Sequence, residues 1–96
     1  MDLTTVISMD ALLLFHDEST TTIHFAGNAD GTPMGGEKIY NVAVITAEAM
    51  GAFVAGIICY HADGHRSTAV NPKINIPNLI QWVQTQLDQM LDAEEK

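Results

Sequence analysis

Residues 42–60 read VAVITAEAMGAFVAGIICY, and the way this run divides decides the fold. It is nearly long enough to cross a bilayer, and Ala52 and Gly56 stand four apart as in helix-packing motifs. Against that, Glu48 sits near its middle, where an ionised carboxylate costs about 2.5–3.5 kcal/mol on insertion scales. Lys38 and Arg66 flank the two ends without a topological bias. The run is therefore read as two buried elements in succession, and no membrane span is expected. Residues 38–46, KIYNVAVIT, are rich in β-branched side chains and apolar on both faces, which predicts a central strand, with residues 47–51 supplying a helical turn. One helix over residues 37–53 is the alternative, because periodicity alone does not separate the two in so apolar a run.

On the C-terminal side the strongest local signal is Asp63-Gly64, a dipeptide that suits a two-residue hairpin turn. It predicts a hairpin of residues 53–62 with 65–71, setting His61 opposite Arg66, Tyr60 opposite Ser67 and Val70 opposite Ile57. Val70 would then share its side of the sheet with Cys59, which this pairing buries. Pro72 ends the strand, since proline cannot donate to a ladder. Pro77 opens the last element, a helix running to about Glu94 whose apolar stripe is Ile80, Val83, Leu87, Met90 and Leu91. Trp82 lies about 120° off that stripe and is read as a rim or interface residue.

On the N-terminal side, residues 11–16 and 20–25 form a first hairpin across the polar spacer Asp17-Glu18-Ser19, with residues 3–8 as a preceding strand or the start of a longer bent one. Residues 27–37, GNADGTPMGGE, read as a loop. The expected architecture is a single α+β domain over residues 1–96: a four- or five-stranded, mainly antiparallel sheet with the C-terminal amphipathic helix packed on one face.

Composition excludes several function classes. Four Lys+Arg against twelve Asp+Glu give a net charge of −8, the wrong sign for neutralising phosphates, so direct nucleic-acid binding is not expected. The lone Cys59 makes no intramolecular disulfide, which points to a reducing, cytoplasmic setting. Residues 1–5, MDLTT, carry no basic or long apolar leader pattern, and no secretory signal is expected.

The residues that invite a chemical reading are His61, Asp63 and His65, which supply zinc-type ligands at alternate positions. In a continuous strand they share a face; a tight Asp63-Gly64 turn instead puts the two imidazoles on opposite faces. His16 and His24 are placed to meet His61 or His65 only if the sheet brings them together. The glycine-rich residues 31–36 lack both phosphate-loop spacings, and Asn28, Asp30 and Gly31 are only a fragment of a calcium loop. No nucleophile context surrounds Ser8, Ser19 or Ser67, and no cofactor motif is present.

Without a catalytic set, the leading expectation is a non-catalytic protein-interaction module, an adaptor or inhibitor that self-associates as a homodimer. Trp82, Asp88 and Asp92 are its candidate partner-binding residues, the last two belonging to an acidic cluster with Glu94 and Glu95 that favours a basic protein partner. The alternatives are an acidic decoy of a basic nucleic-acid-binding effector, a small metal-dependent enzyme or ligand-binding protein built on His61, Asp63 and His65, and a structural subunit of a larger assembly.

Overall fold

Apolar residues alternate on both faces of the first strand, so it needs cover on both, and the fold is arranged around that requirement. The computed structural model describes residues 5–28, 30 and 35–94. Its elements are β1 (Val6–Phe15), β2 (Thr20–Ala26), α1 (Gly36–Ala49), β3 (Ala52–His61), β4 (Arg66–Val70) and α2 (Pro77–Glu94). The strands form one sheet in the order β2-β1-β3-β4, every neighbouring pair antiparallel. This is the expected α+β class, with four strands and the C-terminal helix on the sheet. Because β2 and β3 both run antiparallel to β1, they are parallel to each other, and α1 is the crossover that parallel strands require. No helix among the described residues is long and apolar enough to cross a membrane.

Residues 38–46 are helical, which corrects the expected central strand in favour of the single-helix alternative. Ile39, Ala43 and Ala47, spaced by four, are the buried positions, while Lys38, Asn41, Val42 and Ile45 face outward. The β-branched residues lower helix propensity by only a few tenths of a kcal/mol each, and burial of one face outweighs that. Small alanines let α1 lie close over β1 and β3, sealing a core of Met9, Ala11, Leu13, Ile39, Val54 and Cys59. On the opposite face α2 lies over β3 and β4, with Val83 and Leu87 packed on Leu12, Ala55 and Ile58. Gly56 permits that approach: a Cβ there would stand 2.9 Å from both Val83 and Leu87 and 3.2 Å from the Ala69 carbonyl. Ala55 is the extra residue of a bulge, since Leu12 pairs with Gly56 while Leu13 pairs with Val54.

The two helices are offset. α1 leaves β4 uncovered on its side, and α2 leaves β2 and the Ser8–Asp10 end of β1 open on the other. Two diagonally opposite corners of the sheet are therefore open.

Both hairpins close through the same turn. In the second, the His61 N–H donates to the His65 carbonyl at 3.0 Å and the Gly64 N–H to the His61 carbonyl at 3.0 Å. In the first, the Phe15 N–H donates to the Ser19 carbonyl at 2.9 Å and the Glu18 N–H to the Phe15 carbonyl at 3.0 Å. Each loop thus has three residues, the last with positive φ: Gly64 at 93° and Glu18 at 71°. The third loop residue shifts the β3–β4 register by one from the two-residue expectation, so Tyr60 pairs with Arg66, Cys59 with Ser67 and Gly56 with Val70. Cys59 is buried as expected, but Val70 lies on the opposite face from it. Glycine meets no steric penalty at positive φ, whereas an L side chain costs about 1–2 kcal/mol there. Glu18→Gly is therefore expected to raise stability by about 0.5–1 kcal/mol in urea denaturation, and an unchanged or lower midpoint contradicts this account of the turn.

Candidate functional site

The corner left open by α2 holds the one carboxylate of β1. Asp10 pairs across the ladders with His24 on β2 and Ile58 on β3, and its side chain lies on the α2 face of the sheet. It is 8% exposed and accepts two short hydrogen bonds, one at Oδ1 from the His24 ring (Nδ1) at 2.6 Å and one at Oδ2 from the Tyr60 hydroxyl at 2.5 Å. A carboxylate only accepts, so this pairing holds the His24 proton on Nδ1 and leaves Nε2 turned away from Asp10. The His24 side chain is 56% exposed, with its ring tilted 58° to that of Tyr60. The cluster ties β2, β1 and β3 together through charge-assisted bonds. The sheet does not bring His24 to His61 or His65: it lies on the α2 side, whereas His61 shares the α1 side with Cys59. His16 is in the first turn, at the opposite end of the sheet from the second.

At the second hairpin tip the register shift brings His61 and His65 onto one face, correcting the expectation that the turn separates them. Their rings stack at 3.9 Å and 9°. His61 is buried, and both its nitrogens are engaged: Nδ1 with the Thr5 hydroxyl and Nε2 with the Ser67 hydroxyl, each at 2.7 Å. Asp63 binds the His65 backbone N–H at 3.1 Å and the His65 ring. The backbone bond first, and the ring second, hold its carboxyl below the usual range. Asp63 thus does turn chemistry, and His61 has no nitrogen to spare for a metal. Among the described residues no group of three His, Cys, Asp or Glu is placed to hold a metal ion. Burial pushes the Cys59 thiol up, opposed in part by a hydrogen bond with Ser67.

Of the expected partner-binding residues, Trp82 is 38% exposed, and Asp88 and Asp92 are exposed on α2. They do not converge: Asp88 lies about 120° around the helix from Trp82, and Asp92 about 15 Å farther along its axis. The anion and calcium readings of the glycine-rich loop lean on residues 31–34, which lie outside the described residues.

Two further features carry no signal in the sequence. The first is the outer edge of β2. Ladder bonds alternate along an antiparallel pair, and the Phe15–Ser19 bond sets their phase, so the backbone groups of Thr20, Thr22, His24 and Ala26 point outward. Beside this edge, Val42 of α1 is 52% exposed. Val42 stands about 200° around the helix from Tyr40, which faces β4, and so lies on the flank toward β2. The second is an apolar cavity of about 270 Å³ at the corner that α1 leaves open, walled by Tyr40, Val54, Ile57, Ala69, Pro72 and Lys73 among others. Burial raises the Tyr40 hydroxyl above its ordinary value. Comparison of the chain with protein-family models, with curated proteins and with solved structures finds no match.

The Asp10 cluster makes an energetic prediction. Asp10→Ala should cost about 2–3 kcal/mol and Tyr60→Phe about 1 kcal/mol in urea denaturation. Because the two groups share a bond, the double mutant should fall short of their sum by about 1 kcal/mol. Strictly additive losses would show that the Tyr60–Asp10 bond carries no weight.

Proposed function

We propose that this chain is a non-catalytic protein-interaction module acting as a homodimer, with two copies joined through their β2 edges. The observation that carries this reading is the contrast between the two sheet edges. Natural edge strands are usually blunted by charge, proline or shortness. β4 has five residues, begins with Arg66 and is soon followed by Pro72. β2 has seven residues, TTTIHFA, with neither proline nor a formal charge, and its outward groups are ready-made for a second strand.

Antiparallel pairing of β2 with its own copy is isologous and closes at two. It would join two sheets of four strands into one and place Val42 of each α1 along the seam, adding apolar area to main-chain bonds. The net charge of −8 opposes the approach of two copies, but β2 itself carries no carboxylate. Added salt screens that repulsion, so self-association should strengthen with salt, opposite to the salt dependence of an acidic decoy on a basic partner. In this reading the module serves as an adaptor or inhibitor in a reducing cytoplasm, where buried Cys59 remains a thiol.

Thr22→Pro tests the reading. It deletes an outward N–H while leaving the β1 ladder intact, since proline is tolerated on the free side of an edge strand. Light scattering coupled to size exclusion should show a dimer for the wild type and a monomer for Thr22→Pro with unchanged circular dichroism. A monomeric wild type, or a Thr22→Pro dimer, contradicts the proposal.

A further inference from the structure

The corner that α1 leaves open offers a second kind of docking. The cavity there is smaller than the roughly 300–1,000 Å³ of small-molecule sites, and its walls are apolar: Val54, Ile57 and Ala69 from the sheet, Tyr40 from α1 and Pro72 beyond β4. Its size suits a side chain. The cavity opens beside the edge of β4, whose ladder phase is fixed at both ends. His61 donates to His65 at 3.0 Å, and Asn71 donates to the Ala55 carbonyl at 2.9 Å. Arg66 and Pro72 limit this edge to a stretch too short for a whole second sheet, but by alternation the backbone N–H and C=O of Thr68 and Val70 point outward, next to the cavity mouth, where a short peptide can reach them. Free main-chain groups beside a pocket for alternate side chains are the two parts of strand-addition recognition: the backbone supplies affinity and the pocket supplies specificity.

Charge narrows the partner. Among the described residues the cavity wall contains no carboxylate, and its one formal charge is Lys73. Lys73 also borders a second hollow with Phe53 and Ile76, which are 39% and 57% exposed. In a chain with four Lys+Arg and twelve Asp+Glu, this is a locally cationic and apolar spot.

We infer that β4 accepts an extended peptide of a partner protein as a fifth strand, with one aliphatic or aromatic side chain in the Tyr40–Ala69 cavity and an acidic residue beyond it against Lys73. This rests on the reading of the chain as an interaction module and is independent of its dimerisation through β2, which lies at the opposite edge.

The test uses the full chain and a fluorescein-labelled octapeptide of alternating Thr and Val with a central Leu followed by two Asp. Anisotropy should show saturable binding. Replacing the central Leu of the peptide with Asp should weaken binding about tenfold or more, as should Thr68→Pro in the protein, which removes an outward N–H. Lys73→Glu changes an exposed side chain that the fold does not need, and should weaken binding about three- to tenfold while favouring a peptide whose two Asp are Lys. Thr22→Pro should bind the parent peptide as the wild type does, which separates failure of this site from failure of the β2 dimer. Absence of saturable binding by the parent peptide, or binding insensitive to both Thr68→Pro and Lys73→Glu, overturns the inference.

Discussion

A strand that is hydrogen-bonded on both edges and apolar on both faces has no side left for water. β1 is such a strand, with Met9, Ala11 and Leu13 toward α1, Leu12 buried toward α2, and β2 and β3 on its flanks. The second helix, the crossover and the closely packed alanines of α1 all answer that constraint. Its one exception is Asp10, which sits where α2 does not reach and is satisfied by His24 and Tyr60. Among the described residues no buried side-chain polar atom lacks a hydrogen-bond partner. The polar cluster is thus a consequence of where the helix stops, and it locks the edge strand β2 to the centre of the sheet.

Covering both faces with only two helices over four strands forces a choice of which strands each helix serves. α1 serves β1 and β3, and α2 serves β3 and β4, so β3 is buried throughout residues 54–59 while each outer strand is open on one side. The two edges then differ in chemistry. β4 is short, half-exposed and bordered by cations, next to a hollow. β2 is longer, uncharged and flanked by the exposed Val42 of α1. One edge suits a copy of the chain and the other an extended partner, and both readings follow from the same offset of the helices.

Much of this was legible in the residues, and the misses have physical causes. Turn residues located both hairpins, and Pro77 with the stripe from Ile80 to Leu91 located α2, because those signals are local. The helical state of α1 is not legible, because Val42, Val44 and Ile45 carry strand propensity, while the burial of Ile39, Ala43 and Ala47 that decides the matter is tertiary. The hairpin register is not fixed by the dipeptide, because Asp63-Gly64 serves equally as the end of a three-residue loop, and one residue is enough to exchange faces. A two-residue turn separates His61 from His65, whereas the three-residue loop stacks them. Asp10 was invisible because its partners are 14 and 50 residues away. The cavity was invisible because space left by Ala69 under an offset helix leaves no pattern in a chain.

If two copies meet on the β2 edge, amide hydrogen exchange reads the contact directly. Thr21, Ile23 and Phe25 donate inward to β1, so their protection reports only the fold. Thr22 and His24 donate outward. Their exchange should slow as protein concentration rises, while the outward amides of Thr68 and Val70 on β4 stay fast at every concentration without a peptide. Rapid exchange at Thr22 and His24 that is independent of concentration would contradict the account.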